Sequence, residues 1–178
     1  MLRIGLVVLI SGLLLASASA SAASPAVEAF WKACSEKITE PPADGFYRVR
    51  NFGDNEDMAS LLLDLIVAGE KTVTFPTPWL YAGEREVTPV VGGYVVVTDF
   101  AGKPGALLRT TSMTTLPFHQ ITEAYTRFEG PGARSLQAWR EIHWNFYTRV
   151  LKPTGRSPSL DMPVTAERFE LVCTAADT

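Results

Sequence analysis

The densest group of residues able to do chemistry in this 178-residue chain is "VAGEKTVTF", Val67 to Phe75, where Lys71 is followed by Thr72 and Thr74. A lysine held beside a threonine hydroxyl in a partly dry pocket can lose its proton and act as a base, or keep it and stabilise an oxyanion. If a strand begins at Lys71, alternation sets Lys71, Val73 and Phe75 on one face and Thr72 and Thr74 on the other. Lys71 and Thr74 then converge only if the backbone bends between them, as it does at a bulge. The plainer alternative is a solvated edge lysine beside threonines selected for strand propensity.

Other residues add to the candidate list. Glu129 closes "TEAYTRFEG", a predicted short helix from Thr122 to Gly130, where the helix dipole disfavours a charged carboxylate and suits a general acid or base. Trp79 and Tyr81 lie in the irregular stretch "PTPWLYAGEREVTPVVG" and can stack on a nucleobase or pack into the core. Arg109 stands with Thr110 and Thr111 on a predicted strand. Arg134 and Ser135 head a long helix, a ready site for a phosphate, although Ser135 also suits a simple cap. His143 shares an apolar helical face with Trp139 and reads as a core histidine. Neither it nor His119 sits in a cluster of metal-binding types, so no catalytic metal is expected. No GxGxxG motif supports a nucleotide-cofactor fold, and no cofactor is expected.

These residues need elements to position them. "SPAVEAFWKACSEKI" reads as a helix capped by Ser24 with Pro25 in its first turn, placing Val27, Phe30, Trp31, Cys34 and Ile38 on one face. "GFYRVRNFG" alternates like a short strand. Asp54 is the expected cap of a second helix that ends at Gly69, with Met58, Leu61, Leu62, Leu65 and Ile66 on its apolar side. Strands follow over Thr72 to Phe75, Gly93 to Phe100 and Ala106 to Leu116, the last two joined as a hairpin through "AGKPG". Ser135 opens a long helix that Pro153 stops, and "AERFELVCT" is the final strand. Five or six short strands with helices between them predict an α+β domain built on a small barrel or a strongly bent sheet.

The first 23 residues carry a basic start at Arg3, an apolar run from Ile4 to Leu15 and small residues after it. That is the pattern of a secretory signal peptide, leaving a single domain over residues 24–178 with no stable membrane insertion. Export to the periplasm or beyond is the expectation. Removing Arg3 takes the formal net charge from −3 to −4, so bulk electrostatics do not draw the chain to nucleic acid. Export also permits Cys34 and Cys173 to pair, and two buried thiols remain the alternative.

Taken together, the GxKxxT pattern (Gly69, Lys71, Thr74) after a leucine-rich helix headed by "FGD", and the ordered segments "RTTSMTTLPFHQI", "FEGPGARSLQAWREIHWNFY" and "DMPVTAERFELV", resemble the bacterial ASCH domain proteins from about Trp31 to Val172. The resemblance implies a PUA-like β-barrel flanked by helices, with a cleft lined by the lysine and threonine of the motif. Some members remove the acyl group from N4-acetylcytidine with a Lys, Thr, Glu triad, and others have been described as ribonucleases. By resemblance the triad is Lys71, Thr74 and Glu129, and the expected substrate is an acylated nucleoside or single-stranded RNA. A non-catalytic nucleotide- or RNA-binding module is the further alternative.

Overall fold

In the computed structural model, which describes residues 23–81 and 88–178, short local signals account for most elements. The expected leader lies outside the described residues apart from Ala23, as does the middle of the loop after Tyr81. Helix α1 spans Pro25–Ser35; the Ser24 side chain accepts from the Val27 amide, and Val27, Phe30 and Cys34 are buried. Helix α2 spans Glu56–Val67, and its cap is Asn55, whose side chain accepts from the Met58 amide at 3.0 Å. This corrects the expectation for Asp54, whose carboxylate instead holds Arg149 from the far side of the cleft at 2.5 and 3.2 Å. Gly69, at φ +72°, closes α2 in the left-handed conformation that a residue without Cβ adopts freely.

The strands are β1 (Arg48–Asn51), β2 (Val73–Thr74), β3 (Tyr94–Thr98), β4 (Pro104–Pro117) and β5 (Pro163–Thr174), in the order β1-β3-β4-β5-β2. β1 runs parallel to β3, and the other pairings are antiparallel, including the predicted β3–β4 hairpin. β1 and β2 are the edges of this sheet, which therefore does not close into the expected barrel. Helix α3 is only Glu123–Thr126, and α4 spans Leu136–Leu151.

The sheet is covered on both faces. Val27, Phe30 and Cys34 of α1 pack on Tyr94, Val96 and Leu107, whereas Phe52 and Ile66 pack on Val95, Val97 and Leu108 from the opposite side. All five β3 residues are consequently buried, which explains an uninterrupted "YVVV" in place of alternation. A third cluster joins Val73, Phe75, Phe118, Val164 and Ala166 to Trp139, Tyr147 and Leu151 of α4. Cys34 and Cys173 form a disulfide across the α1 side, with Cα atoms 5.7 Å apart.

A register shift between Thr110 and Ser112 leaves Thr111 without a partner on β5. Such a bulge bends the strand and flips the alternation beyond it. Thr110 therefore faces the same side as Phe169 and Glu167, and its hydroxyl donates to Glu167 Oε1 at 2.8 Å.

Candidate active site

A cleft of about 510 Å³ lies between β1, α2, the segment after α2 and α4. Its walls are largely apolar, with Leu61, Leu62, Leu65, Leu80, Ile142 and Phe146 among them. Polar and charged side chains also line it, and Arg48, Lys71, Thr77 and Glu129 among them are buried.

Lys71 enters from a tight exit off α2. The amides of both Glu70 and Lys71 donate to the Leu65 carbonyl, at 2.9 and 3.1 Å, and Thr72 is then fixed by donating to Phe128 O and accepting from the Phe169 amide. The ladder of β2 begins only at Val73. This settles the alternation problem: Lys71 precedes the strand, so Lys71 and Thr74 both line the cleft although they are three residues apart. Thr74 stands opposite Glu167 on β5.

Glu129 comes to Lys71 from the turn after α3. Its carboxylate Oε2 accepts from Lys71 Nζ, and both residues are buried, Lys71 at 4 % and Glu129 at 3 % exposure. Glu129 lies three residues beyond the end of α3, a four-residue helix, so burial and the lysine define its setting more than a helix dipole does. Gly130 permits the approach, since a Cβ at that position would stand 2.6 Å from Leu65 Cδ1.

His143 completes the group. Its Nδ1 lies 3.0 Å from the Trp139 carbonyl and its Nε2 lies 3.5 Å from Glu129 Oε1. A carbonyl only accepts, so Nδ1 carries the proton and Nε2 presents a lone pair to the carboxylate. Burial, with Lys71 nearby, depresses the His143 pKa to about 4, partly opposed by Glu129, so the ring is neutral near pH 7. Sequence reasoning missed this role because His143 does lie on the apolar face of α4, stacked at 4.5 Å on Trp139. Helical periodicity reports burial, and burial is common to core and catalytic histidines.

The opposite wall holds Arg48 and Arg50 of β1, both paired in register with residues on the α2 side of β3. Arg48 is buried at 3 % exposure; its Nη2 donates to Glu167 Oε1 at 2.9 Å and lies 3.4 Å from Thr110 Oγ1. The alternating "RVR" was the available signal, but nothing in the sequence distinguishes an inward-facing guanidinium from a solvated one. Tyr81 also lines the cleft, and burial pushes its phenol up to about 12.

The remaining expected contact residues are placed elsewhere. Trp79 packs against the α4 core cluster with the Arg156 guanidinium 4.8 Å from its ring centre. Arg109 is 3.5 Å from Glu170 on the sheet. Arg134 donates through Nε to Glu129 O at 2.8 Å and through Nη2 to Glu70 O at 3.0 Å, while Ser135 caps α4 by accepting from the Ala138 amide at 3.2 Å. None of these four is among the cleft-lining residues. Arg134 instead ties the two loops that carry Lys71 and Glu129. Among the described residues no three His, Cys, Asp or Glu side chains are grouped to hold a metal.

Comparison with known proteins bears on this geometry. The ASCH domain family model matches residues 48–173, which span every cleft residue named above. The chain belongs to the ASCH domain family. This ASCH domain is similar to the crystal structure of an ASCH domain from Lactobacillus crispatus JV V101, at 28 % identity and a TM-score of 0.71, covering 82 % of this chain and 92 % of that one. It is likewise similar to a protein from Enterococcus faecalis V583, at 31 % identity and a TM-score of 0.70, covering 82 % and 87 %. No curated protein matches it. The ASCH domain is a PUA-like, RNA-binding fold, here with an open five-stranded sheet.

Proposed function

We propose that this ASCH domain is an exported amide hydrolase of nucleoside or RNA substrates, acting on N4-acylated cytidine through Lys71, Thr74 and Glu129. The observation that carries the reading is the buried Lys71–Glu129 pair in an apolar cleft that Thr74 also lines. Paired charges so placed are costly as structure alone, because their mutual attraction has to offset the desolvation of both. As proton-exchange partners they have a use.

Transfer of one proton from Lys71 to Glu129 converts the ion pair into a neutral amine and a carboxylic acid. The acid forms with its proton on Oε2, the oxygen that accepts from Lys71; with the proton on Oε1, the oxygen that faces His143, the O–H donates to Nε2, so the ring that opposes the carboxylate as a lone pair supports the acid. Neutral Lys71 then takes the hydroxyl proton as Thr74 Oγ attacks the acyl carbonyl carbon. The C–N bond breaks as Glu129 gives its acid proton to the departing amine nitrogen, which leaves an acyl ester on Thr74 and restores the Lys71 ammonium and Glu129 carboxylate. Water hydrolyses that ester, releasing the carboxylic acid and restoring the threonine.

Export fits the Cys34–Cys173 disulfide, since such bonds persist in oxidising compartments. Incubation with N4-acetylcytidine and with labelled single-stranded RNA, each in chelator, tests the reading. The expected result is release of acetate and cytidine with intact RNA, and at least about a 100-fold loss of deacylation in Lys71→Ala. Full deacylation by Lys71→Ala would refute the assignment. RNA cleavage, or RNA binding with no reaction, would replace it with a ribonuclease or a binding module.

A further inference from the structure

Two buried donors in the cleft are not used by the Lys71, Glu129 and His143 group. Arg48 Nη1 has no hydrogen-bond partner among the described residues, and neither does the Tyr81 hydroxyl. Arg50 lies beside Tyr81, but a guanidinium only donates, so the phenolic proton still lacks an acceptor. Of the buried side-chain N and O atoms left this way among the described residues, these two alone belong to cleft-lining residues.

Their setting selects what they can bind. Glu167 and Thr110 hold Nη2, which fixes the guanidinium plane, so Nη1 is aimed and not free to turn away. Glu167 also neutralises the arginine inside the protein, with both side chains buried at 3 to 4 % exposure. The pair is thus a directed donor with little net charge. At Nη1 a phosphate would meet the Glu167 carboxylate along with the guanidinium, so it would lose its hydration with only Arg50, beside Tyr81, left to attract it. An uncharged acceptor oxygen has a much smaller desolvation cost and can satisfy both donors, whose burial without a partner is unfavourable.

We propose that Arg48 Nη1 and Tyr81 Oη form a subsite for a ring carbonyl oxygen of the substrate, the carbonyl of a pyrimidine, while the ring's acylated amine lies towards Lys71 and Thr74. The inference rests on the deacylase reading for the placement of the amide, but the carbonyl subsite is tested separately by binding. Thr74 provides the link between the two ends: it stands opposite Glu167 on β5, and Glu167 holds Arg48. The subsite makes Arg48 and Tyr81 specificity-determining residues.

The experiment compares N4-acetylcytosine with 4-acetamidopyrimidine, which keeps the ring and the amide but lacks the carbonyl. Binding is measured by calorimetry to the Thr74→Ala variant, which removes turnover. The carbonyl compound is expected to bind at least about 10-fold more tightly, because a site built to bond an oxygen rejects the analogue without it. Adding Tyr81→Phe should shrink that preference about threefold or more while leaving 4-acetamidopyrimidine binding unchanged. Arg48→Lys, which keeps a charge for Glu167 but loses the second guanidinium arm, should shrink it likewise. Equal binding of the two compounds, binding of neither, or equally effective competition by inorganic phosphate would overturn the subsite. Selective binding without any deacylation by the wild type would sink the hydrolase reading and leave the subsite standing.

Discussion

A neutral imidazole whose lone pair faces a carboxylate is a poor contact until a proton lies between them. His143 and Glu129 are in that relation, with the tautomer set by the Trp139 carbonyl. Because the folded pKa is about 4 and the ordinary value 6.5, the unfolded chain takes up a proton in that window while the folded protein does not. Stability contributed by neutral burial is therefore complete above about pH 6.5, declines as pH falls towards 4, and does not fall further from this source below it. The window corresponds to about 3 kcal/mol. His143→Phe should flatten the difference between urea midpoints measured at pH 7 and pH 4.5, relative to the wild type. A wild-type midpoint that is no more pH-sensitive than the variant's would remove His143 from the buried neutral role. His143→Phe should also lower the deacylation rate while leaving the binding of cytosine nearly unchanged, since it acts through Glu129. At this scale the GxKxxT residues were readable from type and order. His143 and Arg48 were not, because both roles depend on partners that only the fold brings to them: Glu129 from the turn after α3, and Glu167, 119 residues beyond Arg48.

Among the elements, the loop after α2 and the loop after α3 have little regular structure of their own to hold Lys71 against Glu129. Arg134 supplies the tie, with one guanidinium bridging the Glu129 and Glu70 carbonyls and the Thr126 hydroxyl donating back to its own carbonyl at 2.6 Å. Arg134→Ala should cost about 1–3 kcal/mol of stability by chemical denaturation. It should also reduce deacylation, because the acid and the amine would no longer be held in register. Arg134→Lys should not restore activity, since a single ammonium group does not reproduce a planar fork. Restoration by lysine would show that charge near the loops is all that matters. Helix ends were legible where a cap residue stood alone, as at Ser24 and Ser135. They were displaced where two candidates adjoined, as with Asp54 and Asn55, and the choice was decided by Arg149, 95 residues away. β2 shrank to two residues because Glu70, Lys71 and Thr72 spend their backbone bonds on the α2 exit and on Phe128.

At the scale of the whole molecule, the sheet separates two jobs. Arg48, Thr74 and Glu167 belong to the cleft side, with Phe52 and Ile66 of the α2 layer, whereas Cys34 and Cys173 close the α1 layer on the other face. Neither the parallel β1–β3 pairing nor the open edges could be read from strand periodicity, which reports alternation and not neighbours. The cysteine pairing was likewise only permitted by the sequence, since two buried thiols satisfy the same pattern. The disulfide joins residues 139 apart, so much of the chain lies within the loop it closes. By the chain-entropy argument, losing it should destabilise the protein by about 3–5 kcal/mol. Replacing both cysteines with serine, or reducing the bond, should therefore lower the melting temperature measured by calorimetry. Well below that temperature, deacylation and the preference for a ring carbonyl should persist, because the clasp holds α1 to the face of the sheet that carries no cleft residue named here. Loss of activity at a temperature where circular dichroism shows the reduced protein still folded would mean that the α1 layer controls the cleft through the sheet, and the separation of the two faces would have to be abandoned.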